Sequence, residues 1–240
     1  RRASSTAIDA SLKPLMSAYM GDLTARLRAE GYGGRVLIVT SNAGVIDAED
    51  AARAPIHLIN SGPAMAPVAG RRFAEADGAA ETAIVADTGG TTYDLSVVRR
   101  GAIPTTRETW IGGAYRGHMT GFPSVAVRSI GAGGGSIAWV DAGGLLRVGP
   151  QSAAAQPGPA AYGRGGERPT VTDACVALGW LDPDYFLGGA MKLRADLARA
   201  AIERDLCPAL GLSVEDSALA VMSVATENMV QAIMDITVNQ

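Results

Sequence analysis

A chain of 240 residues with 48% hydrophobic and 19% charged side chains has the material for one or two packed domains. With a formal charge of −3 and no basic stretch, it lacks the electrostatic footprint of a nucleic-acid binder, and no apolar run reaches the roughly 18 residues that a membrane-spanning helix needs. Two histidines, His57 and His118, and two cysteines, Cys175 and Cys207, are too few and too scattered for a zinc site; the lone cysteine pair suits reduced, buried thiols and a cytoplasmic protein.

The opening RRASSTAIDA does not lead into the apolar region of a signal peptide. Ile8, Leu12, Leu15, Met16, Tyr19, Leu23 and Leu27 recur at helical spacing and predict a helix over 6–30, stopped at Gly31 and open to a kink at Pro14. RVLIVTS predicts a short buried strand, and 47–53 a short helical piece. The stretch PIHLINSGPAMAPVAGRRFAEADG reads as strand, turn and helix, with Ser61 as its cap and Gly78 as its stop.

From residue 82, TAIVADTGGTTYDLSVV reads as two strands around a Gly-Gly-Thr turn, and a third strand is expected in TTRETWIGG. IAWVD and LLRVG form a hairpin around Ala-Gly-Gly. The Pro/Gly/Ala stretch 152–169 is too long for a plain connector, and such loops are functional or mobile. Helices follow at 170–179, 193–206 and 213–237, the last with Ser213 as cap and Asp216 in its acidic first turn. This order predicts an α/β fold with a boundary near residue 78. The chain enters on a helical pattern and closes on MDITVNQ without a cap, as a fragment of a longer subunit would.

The run DTGGTTYD (87–94) is where chemistry concentrates. Glycines let the backbone turn and expose consecutive N–H groups, which together form an anion-binding nest, and threonine hydroxyls add donors. A carboxylate repels phosphate directly but can hold Mg²⁺ through its water shell. Acid, glycines, hydroxyls and acid in one hairpin thus suit a metal-nucleotide phosphate loop. The same residues would also serve a plain β-hairpin turn, and composition alone leaves both open. A P-loop is excluded, because the run lies between two strands and lacks the Gly-Lys-Ser/Thr ending.

The hairpin resembles the D-x-G-G-T-x-x-D phosphate hairpin of the actin, sugar-kinase and heat-shock-chaperone ATPase superfamily. Together with NSGPAMAPVAG, SIGAGGGSIAWVD, GGLLRVGPQSAAAQPGPAAYGRGG, PTVTDA and DPDYFLGG, in that order along nearly the whole chain, it resembles the A-type subunit of the hydantoinase/5-oxoprolinase family. DTGGTTYD and RGHMTGFPSV look closer to the ATP-binding subunits of acetone and acetophenone carboxylases. The resemblance implies partial ribonuclease-H-like lobes, with residues 1–78 completing a first lobe and crossover helix and 79–240 forming a second lobe. It implies ATP and Mg²⁺ as cofactors, a B-type partner subunit, and a small cyclic amide or ketone as substrate.

On that resemblance, Asp87 orients the metal or the attacking oxygen. Gly89, Gly90, Thr91 and Thr92 hold the β- and γ-phosphates, and Asp94 is a second polar anchor. The superfamily's first phosphate loop and its adenosine-contacting motif lie outside this chain, so the fragment alone is expected to be inactive. The implied activity is ATP-dependent hydrolysis of a cyclic amide of the hydantoin or 5-oxoproline type through a phosphorylated substrate. Ketone carboxylation and a non-catalytic nucleotide switch are the alternatives.

Other residues carry two readings each. In GAGGGS (131–136), Gly133 and Gly134 either contact phosphate or let two backbones approach closely. Asp173 is a helix-start residue or a site acid, and Asp141 ends a strand at a hairpin. Arg147 and Arg164 are solvated or meet an anionic substrate. His118 is a loop imidazole, structural or available for acid–base work. Ser61 is most simply a cap, and Tyr162 could line a pocket.

Overall fold

A computed structural model describes residues 2–78, 81–112 and 115–238. The chain divides into two compact units, one of residues 1–85 and 96–127, the other of residues 86–95 and 128–240.

The first unit opens on helix α1 (Arg2–Ala29), which runs through Pro14 without interruption. A two-stranded antiparallel ribbon of β1 (Leu37–Val39) and β2 (Val45–Asp47) follows, then α2 (Ala48–Arg53). Met20 of α1 packs with Ala48 and Ala51 of α2, small residues that let the two helices approach. Asp9 fixes the next segment by accepting a hydrogen bond from the Ile56 amide at 3.1 Å.

That segment, Pro55–Leu58, is a 3-10 helix and not the strand its apolar residues suggest. Pro55 sits at the first helical position, where its fixed φ favours a helical turn. The short α3 (Ser61–Ala64) comes next, and Asn60, at φ +61°, takes the capping position expected of Ser61. Helix α4 (Ala66–Ala76) then runs to Gly78, whose φ of +66° makes it the stop read from the sequence.

The glycine-turn hairpin is built from β3 (Ala83–Thr88) and β4 (Tyr93–Val98). The third strand expected in TTRETWIGG is two separate short ones, β5 (Thr105–Thr106) and β6 (Trp110–Ile111). They pair with β8 (Ser124–Val125) and β7 (His118–Met119) respectively.

In the second unit, Tyr93, Asp94 and Leu95 of β4 pair antiparallel with Ile130, Ser129 and Arg128 of β9 (Arg128–Ile130). The hairpin of β10 (Ser136–Val140) and β11 (Leu146–Ser152) forms around Ala-Gly-Gly as expected. Helices α5 (Val171–Ala177), α6 (Ala195–Asp205), α7 (Cys207–Leu210) and α8 (Val214–Thr237) complete the unit. Along α8 the buried Ala218, Val221, Ala225, Ala232 and Ile236 recur every three to seven residues, the stripe of a core-facing helix. Three of them join Ala138 and Val148 of the hairpin, Val171 and Ala174 of α5, and Ile202 and Leu206 in one core. The architecture is α/β, as expected.

Cys175 and Cys207 are free thiols, partly buried in this core. Burial pushes the Cys175 thiol up from its usual range. No described helix is long and apolar enough to cross a membrane.

Candidate functional site

The hairpin tip turns tightly. The Gly89 amide donates to Thr92 O at 2.9 Å, closing Gly89-Gly90-Thr91-Thr92 into a turn. Gly90 and Thr91 are exposed, and among the described residues the amides of Gly90, Thr91 and Thr92 donate to no acceptor. Asp87 stands at the end of β3, exposed and with no hydrogen bond or ion pair among the described residues. Three consecutive unengaged N–H groups beside a threonine hydroxyl and a free carboxylate are a donor set that fits phosphate oxygens and a hydrated cation. Among the described residues no three His, Cys, Asp or Glu side chains group as a metal cage. Mg²⁺ does not require one, since it is commonly held by one or two carboxylates plus phosphate and water.

Asp94 is not free in this way. Thr92 Oγ1 donates to its Oδ2 at 3.0 Å, and Ser129 Oγ on β9 donates to its Oδ1. Both carboxylate oxygens are thus held by hydroxyls, and Asp94 anchors the hairpin between its own turn and the neighbouring strand.

The glycine-rich loop 131–136 lies directly against the tip. Gly134 N donates to Gly89 O at 3.0 Å and Gly135 N to Gly90 O at 2.6 Å. A Cβ on Gly133 would stand 2.6 Å from the backbone N and C of Thr91, so only glycine fits. The Gly133 amide donates to Ser136 Oγ at 2.9 Å. The N–H groups of Gly133 and Gly134 are therefore engaged within the protein, and what these residues give the tip is close backbone support.

The loop is fastened from its far side by α5. Thr172 donates to Gly134 O twice, from its amide at 2.8 Å and from Oγ1 at 2.9 Å. The start of α5 is itself fixed by a capping box between Thr170 and Asp173. Asp173 is fully buried, and its carboxylate accepts from Thr170 N (2.9 Å), Thr170 Oγ1 (2.8 Å), Ala160 N (3.2 Å) and Ala161 N (2.7 Å). Burial pushes this carboxyl above the usual range, opposed by those four hydrogen bonds. The helix-start reading of Asp173 holds, and the residue also pins the long 152–169 loop through Ala160 and Ala161.

Asp141 ends β10 as expected. It accepts from Gly143 N, Leu145 N and Arg147 Nε, which holds its carboxyl below the usual range. Arg147 is thereby paired at the surface, and Arg164 is exposed. The ring of Tyr162 packs against Phe186 with centroids 5.7 Å apart. Of the residues singled out in the sequence, Asp87, Gly89, Gly90, Thr91, Thr92, Asp94, Gly133 and Gly134 belong to the second unit. His118 lies exposed on β7 of the first. Ser129 and Thr172, which hold the tip in place, carried no local sequence signal.

The model of the hydantoinase/oxoprolinase family matches residues 2–240. The chain belongs to that family. Within it, the caprolactamase alpha subunit of Pseudomonas jessenii is 36% identical over the whole of this chain, which spans 34% of that protein. The acetophenone carboxylase gamma subunit of Aromatoleum aromaticum is 33% identical over 97% of this chain and 31% of its own length. The crystal structure of the ATP-dependent caprolactamase from Pseudomonas jessenii superposes with a TM-score of 0.77 at 36% identity, over 98% of this chain and 33% of that one. The nucleotide-free acetone carboxylase structure gives the same TM-score at 27% identity, over 90% of this chain and 30% of that one. The chain thus spans about a third of the length of each of these proteins, and shares the fold of the two solved structures over that third.

Proposed function

We propose that the longer protein to which this chain corresponds is an ATP-dependent enzyme that hydrolyses a small cyclic amide by way of a phosphorylated amide oxygen. The observation that carries this reading is the tip of the 86–95 hairpin, where the unengaged amides of Gly90, Thr91 and Thr92 stand beside the free Asp87 carboxylate. Its support is the family, and the likeness to a protein described as an ATP-dependent caprolactamase, since a caprolactam is a cyclic amide.

Bound ATP would supply the phosphoryl group that makes the amide carbon electrophilic; water would add there, the C–N bond would break to free the ring amine, and the acyl phosphate left behind would be hydrolysed to carboxylate and phosphate. The chain's part is positioning and charge stabilisation. The amides of Gly90, Thr91 and Thr92 and the Thr91 hydroxyl would hold the phosphate oxygens of ATP, and Asp87 would hold the water shell of Mg²⁺. Asp94 orients Thr92 and β9 through its two hydroxyl bonds. Gly133 and Gly134 keep the tip at the height set by their backbone contacts. His118, on β7 of the first unit, is kept only as an imidazole proposed for acid–base work. The same reading assigns residues 1–78 to the end of a first lobe, 79–240 to a second, and a B-type subunit as partner in a cytoplasmic assembly.

A second reading, ATP-dependent carboxylation of a ketone, is favoured by the likeness to the acetophenone carboxylase gamma subunit. The test is ATP hydrolysis by the full-length protein with its partner, offered a cyclic amide, or a ketone with bicarbonate. Stimulation by the amide supports the first reading, and stimulation by the ketone alone supports the second. Asp87→Asn is expected to cost about a hundredfold or more in turnover; unchanged turnover would remove the hairpin from the nucleotide site.

A further inference from the structure

We propose that Thr172 is a positioning residue for the phosphate hairpin, setting the height of its tip through Gly134. The inference rests on the reading of that hairpin as the nucleotide site.

Gly134 is bonded on both sides. Its N–H donates to Gly89 O in the hairpin turn at 3.0 Å, and its C=O accepts both the amide and the hydroxyl of Thr172. The hydroxyl fills the space where a Cβ of Gly134 would stand, 2.9 Å away. Thr172 is 7% exposed, so water does not replace these bonds at no cost. A Cβ on Gly90 would meet nothing within 4 Å, so that side of the tip is open. Beside the Asp94 anchor, the tip is supported by the glycine loop, and the glycine loop in turn by the first turn of α5.

That first turn is a rigid reference. Thr170 and Asp173 cap each other, and Asp173 adds the amides of Ala160 and Ala161. A continuous chain of hydrogen bonds thus runs from the 152–169 loop through Asp173 and α5 to Thr172, Gly134 and Gly89. The amide bond of Thr172 survives any substitution that keeps α5. The hydroxyl bond depends on the side chain and is the part that can be tested.

The experiment compares Thr172→Val, Thr172→Ala and Thr172→Ser in the full-length protein with its partner, reading kcat, KM for ATP and the thermal midpoint. Val keeps the shape and loses the donor, Ala loses donor and methyl, and Ser keeps the donor. We expect kcat to fall about tenfold in Val and Ala, with KM for ATP within about twofold, because a displaced phosphoryl group is penalised in the transition state. Ser retains kcat within about twofold. If Ser falls as far as Ala, the methyl packing matters and the proposal is overturned. It is also overturned if Val and Ala keep full kcat while Asp87→Asn abolishes turnover. If instead Asp87→Asn leaves turnover intact, it is the nucleotide-site reading itself that fails. Should Val not fold, Ala and Ser still decide the point.

Discussion

Gly133 lies beneath Thr91 so closely that a methyl group on its Cα would come within 2.6 Å of two Thr91 backbone atoms and 2.7 Å of Gly89 O. Backbone cannot rotate away as a side chain can. Gly133→Ala therefore forces the loop and the tip apart, at a cost of about 1–3 kcal/mol in stability, and lowers ATP affinity of the full-length protein. Gly90→Ala is the contrast. A Cβ there meets nothing within 4 Å, so the thermal midpoint is expected to stay at the parent value while any effect falls on nucleotide handling. Equal midpoints for the two variants would contradict this account.

Asp173 is expected to be among the costliest polar residues of the second unit to replace. Asp173→Ala would leave the amides of Ala160, Ala161 and Thr170 and the Thr170 hydroxyl without an acceptor in a buried place. The loss should be on the order of 3 kcal/mol by denaturant unfolding. Its pH dependence has a definite sign. A folded-state pKa above the unfolded value means that the folded form holds the proton more tightly. The stabilisation linked to it is complete below about pH 3.9, the ordinary Asp value, and is lost as pH rises through the folded value. Asp173→Asn, titrated by urea unfolding, should remove that slope.

The opposite sign applies to Asp141, whose pKa is lowered by the Leu145 amide first and then by Arg147 and Gly143. Its contribution is present above about pH 3.9 and is lost as pH falls through the folded value. Hydrogen exchange at the Gly143 and Leu145 amides should accelerate on acidification in the parent. In Asp141→Asn, exchange corrected for intrinsic chemistry should be fast throughout.

Ser129 supplies the only hydroxyl from a neighbouring strand to Asp94 among the described residues. Ser129→Ala leaves one carboxylate oxygen without its donor while Thr92 still holds the other. A destabilisation of about 1 kcal/mol is expected, with a several-fold loss of ATP turnover in the full-length protein. Thr92→Ser, which keeps the hydroxyl, should leave both near the parent values. A Ser129→Ala protein with unaltered turnover would mean that Asp94 needs no second anchor.

Much of the scaffold was legible because its signals are local. The helix-start role of Asp173, the Ser213 cap and the Ala-Gly-Gly turn between β10 and β11 are all set by residues a few positions apart. The 3-10 turn at Pro55–Leu58 was not legible, since an apolar run of this length suits a strand equally well and only the proline argued otherwise. Asn60 precedes the helix in a left-handed conformation and makes no side-chain cap bond, a backbone shape that asparagine tolerates but its neighbours in sequence do not dictate. The hairpin that holds Asp87 was legible from its residue types. Its supports were not: Ser129 and Thr172 are ordinary hydroxyl residues whose role comes from partners distant in sequence.

The second unit begins with the ten residues 86–95, leaves the chain to the first unit for 96–127, and resumes at 128. A chain made from its N-terminus forward emits the hairpin well before the glycine loop, and the glycine loop before Thr172. During synthesis the tip therefore exists for a time without the glycine loop beneath it. Its final shape depends on residues that arrive later, so that nucleotide competence should be acquired only after α5 has left the ribosome.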